Sequence, residues 1–209
     1  MKKTNKSVKI CVFIILTAVF LSFSALAAPA VYTVKPGDSL WKIAVMYEIG
    51  LSEIKTANPQ IKNFDLIYPG DKINIPEASS LKSFEDEVAR LVNVERANRG
   101  LPALSVNWEL ARVARYKSQD MIDKKYFAHD SPTYGSPFQM IESFGIKFSA
   151  AAENIACGQK TPAEVMRAWM DSPGHRSNIL AANVTQIGVG AAKAANGTLY
   201  WTQMFIRPR

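Results

Sequence analysis

Two cysteines and two histidines are all that 209 residues carry of the side chains most used for cross-links, metal binding and proton transfer near neutral pH. Cys11 lies at the head of a long apolar run and Cys157 stands alone far beyond it. Once that run is removed no intramolecular disulfide can form, so stability must come from packed cores. No Asp or Glu precedes Ile10, whereas Lys2, Lys3, Lys6 and Lys9 do. Short catalytic signatures are missing too: there is no HExxH zinc motif and no GxSxG nucleophile elbow. A composition of 48% hydrophobic and 21% charged residues excludes a disordered, fibrous, low-complexity or polytopic membrane chain.

The basic start, the apolar residues 10–23 and the small-residue tripeptide Ala25-Leu26-Ala27 together read as a signal peptide over residues 1–27, cleaved before Ala28 to leave 182 residues. The alternative is an uncleaved anchor, because the run approaches the roughly 18–20 apolar residues that span a bilayer. Membrane contact is expected only through this segment. A lipoprotein is excluded, since Cys11 opens the run instead of following it. Losing the four lysines takes the net charge from +7 to +3, too little for the clustered basic stripe of a nucleic-acid binder, so no nucleic-acid partner is expected.

Residues 31–76 read as strand, helix, helix, strand. Val31 to Val34 are β-formers, Pro36-Gly37 is a turn, and Asp38 or Ser39 caps a helix with Leu40, Ile43, Ala44 and Tyr47 on one face. A second helix starts at Ser52-Glu53 and stops at Asn58-Pro59. Tyr68-Pro69-Gly70-Asp71 turns into the alternating strand Lys72 to Pro76. Tyr32, Trp41 and Ile73 are expected in the core. Five lysines balance five acids here, so attachment to a surface cannot rely on long-range charge.

The stretches Tyr32-Thr33-Val34-Lys35-Pro36-Gly37-Asp38-Ser39-Leu40-Trp41, Ala57-Asn58-Pro59-Gln60-Ile61 and Leu66-Ile67-Tyr68-Pro69-Gly70-Asp71 closely resemble the LysM module. That resemblance implies a βααβ fold binding N-acetylglucosamine-containing glycans, peptidoglycan among them, in a shallow groove. Carried onto this chain, the groove would use Gly37, Asp38, Ser39 and Leu40 on one side and Ile61, Asn63, Ile67 and Tyr68 on the other. A single neutral groove binds weakly, and retention would draw on the repeated sites of a wall.

Small polar residues at 77–83 read as a linker, and helical periodicity returns over residues 84–209. Val88, Leu91, Val92 and Glu95 share a face until Arg99-Gly100. Asn107 caps a helix with Leu110, Val113, Ala114 and Met121 inward. Ser136-Pro137-Phe138-Gln139 is a capping box, with Gly145 ending its helix, and Thr161-Pro162 opens another in which Val165, Ala168 and Trp169 face in. Ser131-Pro132 and Ser172-Pro173 read as turns. Residues 187–192 and 198–206 form a hairpin through Ala195-Asn196-Gly197. The class is α+β, a sandwich of helices on a small sheet.

This segment resembles the CAP superfamily in its bacterial SCP-like form, through Leu91-Val92-Asn93-Val94-Glu95-Arg96-Ala97-Asn98, Phe127-Ala128-His129-Asp130-Ser131-Pro132, Glu153-Asn154-Ile155-Ala156, Trp169 to Leu180 and Tyr200-Trp201-Thr202-Gln203. The resemblance implies an αβα sandwich with a cleft of two histidines and two acids. His129, Glu153 and His175 match it, Asp171 falls near the fourth position, and Ala152 stands where the family usually has glycine. His129 and His175 could hold a divalent metal such as zinc with carboxylate support, or the same groups could relay protons without one. Cys157 is read as a small buried residue before it is read as a nucleophile.

A secreted protein of the cell wall or spore envelope is the expected whole, the subgroup resembling extracellular proteins of spore-forming Gram-positive bacteria. In it the LysM module holds the CAP domain on peptidoglycan for binding or envelope assembly. The alternative is a hydrolase of wall peptide or glycan using His129, Glu153, His175 and Asp171. Lipid carriage, implied by some relatives, finds no identifiable channel in the sequence.

Overall fold

The computed structural model describes residues 30–76 and 81–209. The expected signal peptide and most of the expected linker lie outside the described residues. Among the described residues no helix is long and apolar enough to cross a membrane.

The first unit runs β1 (Ala30–Thr33), α1 (Leu40–Met46), α2 (Leu51–Thr56) and β2 (Lys72–Ile75). The two strands pair antiparallel with Tyr32 opposite Ile73. Its core is Tyr32, Val34, Leu40, Ile43, Ala44, Ile54, Ile73 and Ile75. The face read from helical spacing is therefore the buried one, except that Tyr47 lies at its margin with its ring edge-on to Tyr32 at 6.0 Å. Ser39 caps α1, its Oγ accepting from Lys42 N at 3.2 Å.

Two expected positions differ in the structure. Trp41 is not core but 60% exposed, because it sits one position past Leu40 and so about 100° around the helix from the buried face. The second helix starts at Leu51 with Gly50 as N-cap, which has no side chain to offer, and Ser52 lies inside the helix with its hydroxyl donating to Glu53. Asn58 does more than stop that helix: fully buried, it donates to Ile54 O and Asn74 O and accepts from Asn74 N, all at 2.7 Å. One side chain thereby ties α2 to β2.

The second unit runs α3 (Lys82–Ala97), β3 (Ser105–Val106), α4 (Trp108–Asp123), α5 (Pro137–Ser143), β4 (Phe148–Cys157), α6 (Pro162–Asp171), α7 (Pro173–Ile179), β5 (Gln186–Lys193) and β6 (Leu199–Pro208). Helix α3 thus begins inside the segment expected as linker. The sheet order is β3-β5-β6-β4, with β3 parallel to β5 and the other pairs antiparallel. Alternation along the strands feeds two cores. Ile187, Val189, Trp201 and Phe205 pack with α3 and α6, whereas Met204 and Ile206 pack with α4 and α5. The result is the expected αβα sandwich.

Helix α4 lies so close to the sheet that only glycine fits beneath it. A Cβ on Gly190 would stand 2.0 Å from Arg115 N, and one on Gly188 2.3 Å from Ala111 N. On α3 the structure buries Arg96, where spacing suggested Glu95. Its guanidinium donates to the carbonyls of Pro102, Ile179 and Ala181 and fastens two loops. The capping box at Ser136 and Gln139 forms in both halves, and Thr161 and Asn107 cap as read. Ser172-Pro173 is more than a turn, since Ser172 closes α6 and opens α7 with proline at its first position.

Candidate functional site

Edge strand β4 carries the site. Glu153, opposite Met204, faces the α4 side of the sheet, while Asn154, opposite Gln203, faces the other side. The loop after α4 brings His129 to Glu153, with His129 Nδ1 2.8 Å from Glu153 Oε1. The imidazole is 55% exposed and the carboxylate nearly fully buried. Glu153 Oε2 is buried without a hydrogen-bond partner. Burial pushes the Glu153 carboxyl up from its ordinary pKa, against the pull of the His129 hydrogen bond and of the Lys117 charge. The Glu153 hydrogen bond raises His129 in turn, and desolvation only partly offsets it.

His175 approaches from α7. Its carbonyl accepts from Asn154 Nδ2 at 3.1 Å, and Asn178 of the same helix donates to Glu153 O and Asn154 Oδ1. Those bonds hold α7 on the strand. Burial, and secondarily the charge of His129, lower the His175 pKa. Asp171 is exposed at the end of α6 and its carboxylate makes no hydrogen bond or ion pair to the other three. The structure therefore joins His129 to Glu153, sets His175 on the helix bonded to the same strand, and leaves Asp171 aside.

Behind His129 lies a polar network not anticipated from the sequence. Lys117, fully buried on α4, donates to His129 O and to Tyr126 OH. Asp120 accepts from Tyr126, Ser131 and Thr133 hydroxyls at 2.6–2.7 Å. Desolvation lowers the Lys117 pKa against the charges of Glu153, Asp120 and Asp130. A signal was present: Lys117, Ser118 and Asp120 interrupt the inward face that carries Val113, Ala114 and Met121. Polar residues on a buried helix face ask for partners.

The donor set bears on metal. With His129 Nδ1 committed to Glu153, one nitrogen of His129 and the His175 ring remain. No group of three or more His, Cys, Asp or Glu among the described residues is placed to hold an ion. Two imidazoles fall short of the three protein ligands of a catalytic zinc site, so the residues do not fit that group. Cys157 ends β4 opposite Tyr200 and is half-buried, not the buried residue expected.

The small unit has a second concavity of about 220 Å³, lined by Asp38, Ser39, Leu40, Trp41, Phe64 and Ile67 among others. Of the residues carried over for a glycan groove, Asp38, Ser39, Leu40 and Ile67 line it. Gly37, Ile61, Asn63 and Tyr68 do not. Gly37 makes the preceding turn at φ +85°, Ile61 packs on the core, Asn63 accepts from Asp65 N, and Tyr68 is 62% exposed elsewhere. Asp38 is spent within the loop, accepting from Tyr32 OH and Lys35 N. Trp41, Leu51, Phe64, Asp65 and Lys55, which lies 5.3 Å over the Phe64 ring, are the lining groups that sequence reasoning missed.

Residues 89–205 match the cysteine-rich secretory protein family, and residues 32–76 match the LysM domain. The chain belongs to the cysteine-rich secretory protein (CAP) family. It is a CAP domain preceded by a LysM domain. Uncharacterised protein YkwD of Bacillus subtilis (strain 168) is 55% identical over 128 residues, covering 61% of this chain and 49% of that protein. Uncharacterised membrane protein YlbC of the same organism is 31% identical over 186 residues, covering 84% of this chain and 52% of that protein. The chain thus spans about half the length of these two relatives. An extracellular protein containing an SCP domain from Bacillus anthracis superposes with a TM-score of 0.56 at 30% identity, over 66% of this chain and 47% of that one.

Proposed function

We propose that this protein is a wall-bound binding factor of the cell exterior. Its LysM groove takes N-acetylglucosamine-containing glycan of peptidoglycan, and its CAP cleft receives a second ligand without turnover. The observation that carries the first half is Trp41, a large aromatic left 60% exposed at the lip of a small groove. An indole plate beside Phe64 and Ile67 suits the apolar face and acetyl group of an amino sugar, and the neutral module leaves that contact as the source of affinity. For the second half, the support is the His129–Glu153 pair, which shares one hydrogen bond at 2.8 Å, with α7 and its His175 bonded to the same strand. The hydroxyls two residues from the histidines are engaged elsewhere, Ser131 donating to Asp120 and Ser177 to Gly174 O, and Cys157 ends β4 opposite Tyr200.

A hydrolytic reading keeps one specific observation in its favour. Glu153 Oε2 is buried and unpartnered beside a histidine, as a general acid or base would be. One experiment decides between the two. The parent and a His129→Ala/His175→Ala variant are incubated with purified sacculi from growing cells and from spores, then pellet and supernatant are analysed by mass spectrometry. Protein in the pellet with no new muropeptides supports the binding factor. Fragments released by the parent alone establish the hydrolase, and protein left in the supernatant refutes wall binding. Preference for spore sacculi would place the protein at the spore envelope.

A further inference from the structure

Arg112 of α4 reaches out of the CAP domain to the LysM domain. Its Nε donates to Glu53 Oε1 at 2.7 Å, and its Nη2 donates to Glu53 Oε2 at 3.0 Å and to Ser52 Oγ at 2.9 Å. Both partners lie in the first turn of α2. The guanidinium sits over two rings of its own domain, 5.3 Å from the centroids of both Tyr116 and Phe144. Those rings are packed on each other. The fork is therefore held in place by the CAP domain before any partner meets it, and a planar, bidentate carboxylate pair adds direction as well as attraction.

Gly50 gives an independent observation from the LysM side. Its backbone, at φ −75° and ψ 153°, is one that any residue adopts, so the LysM fold by itself does not require glycine there. The docked pair as it stands uses the space glycine leaves: a Cβ at this position would stand 2.0 Å from both Arg112 Nε and Glu53 Oε2, and those side-chain ends would have to move aside. The tether is short, because β2 ends at Ile75 and α3 begins at Lys82. A short tether keeps the effective concentration of one partner near the other high. Beside the clamp, Glu53 and the CAP residues Arg115, Tyr116, Gln119 and Lys193 wall a cleft of about 450 Å³.

We infer that the α4 face of the CAP domain is a docking surface for the chain's own LysM domain, with Arg112 as anchor and Gly50 as the clearance that admits it. The LysM groove and the His129 cleft are thereby held in one orientation, so that glycan bound by the first sets how the second is presented to the wall. This does not depend on whether the CAP cleft binds or hydrolyses.

Backbone ¹⁵N relaxation of the full chain tests it. Residues 32–76 and 84–208 of the parent should share one rotational correlation time. In Arg112→Ala, and separately in Gly50→Ala, the value for residues 32–76 should fall by about half or more as the small domain tumbles on its tether. Chemical shifts of both cores should stay in place, which separates undocking from unfolding. The charge reversal Glu53→Arg/Arg112→Glu should restore a joint value, and high salt should loosen the parent. Two distinct correlation times in the parent, or a joint value that survives both single variants, would overturn the inference, and a reversal that stays loose would count against the Glu53–Arg112 pair as anchor.

Discussion

Replacing Glu153 by glutamine should make the protein more stable at neutral pH, which is the reverse of what a structural ion pair would do. The Glu153 side chain is buried with one oxygen bonded to His129 and the other unpartnered. Leaving a buried polar atom unsatisfied costs about 1–3 kcal/mol, and more when it is charged. As a charge-assisted bond the contact to His129 would contribute about 1.5–3 kcal/mol, and here the low end of that or less because the ring is 55% exposed and screened by solvent. Glutamine keeps the shape and an acceptor for the imidazole N–H, loses roughly half the strength of that bond and still leaves an unpartnered polar atom at the Oε2 position, so its gain is the extra penalty that a buried charge carries over a neutral amide. The net gain is about 1 kcal/mol, or about 2–4 °C in Tm for a chain of this size. The pH dependence follows from linkage. The folded-state value of Glu153 is raised, so its contribution to stability is complete below the unfolded-state value and is lost as pH rises through the folded one. The gap between Glu153→Gln and the parent should therefore be small in acid and open toward neutral pH. Thermal melts across that range check it. A variant less stable than the parent at pH 7, or a gap that ignores pH, would show that the carboxylate is a structural anchor and not a group kept at a cost for its chemistry.

Other consequences can be measured directly. Gly190→Ala drives a Cβ against helix backbone, 2.0 Å from Arg115 N. Helix α4 would have to lift, and urea denaturation should register a loss of about 3 kcal/mol or more; a loss under about 1 kcal/mol would mean that helix and sheet are not so closely apposed. Asn58→Ala removes a buried side chain with three short bonds to backbone and should destabilise the LysM domain by about 2–4 kcal/mol, read from its own residues by hydrogen exchange. In an NMR titration from acid, His175 should release its proton before His129, because burial lowers the one and Glu153 raises the other. In Glu153→Gln the His129 value should drop toward its ordinary range, and an unchanged value would discount the 2.8 Å contact as the cause.

What could be read from the sequence was local. Capping residues such as Ser136, Thr161 and Asn107 act within a few positions of themselves, and the inward faces of α1, α4 and α6 follow from periodicity. What could not be read depends on partners far along the chain. Arg96 is buried for carbonyls 83 and 85 residues away, and Glu53 meets Arg112 at a separation of 59. His129 and Glu153 are 24 residues apart, and only family resemblance joined them, whereas the same resemblance offered no partner for Lys117. Trp41 shows the opposite case: α1 periodicity already turned it away from Leu40 and Ile43, and placing it in the core went against the physical signal. The α7 helix, with proline at its first position after Ser172, was also present in the residues as a start signal and was read only as a turn.

The proposed function rests on glycan held in the LysM groove beside Trp41. A two-dimensional ¹H–¹⁵N titration of the full chain with a tetramer of N-acetylglucosamine tests it residue by residue. Perturbations should centre on residues 38–41, 55 and 64–67, including the Trp41 indole N–H, and should vanish in Trp41→Ala with the fold intact. Perturbations centred on His129, Glu153 and His175, or undiminished binding by Trp41→Ala, would contradict the account.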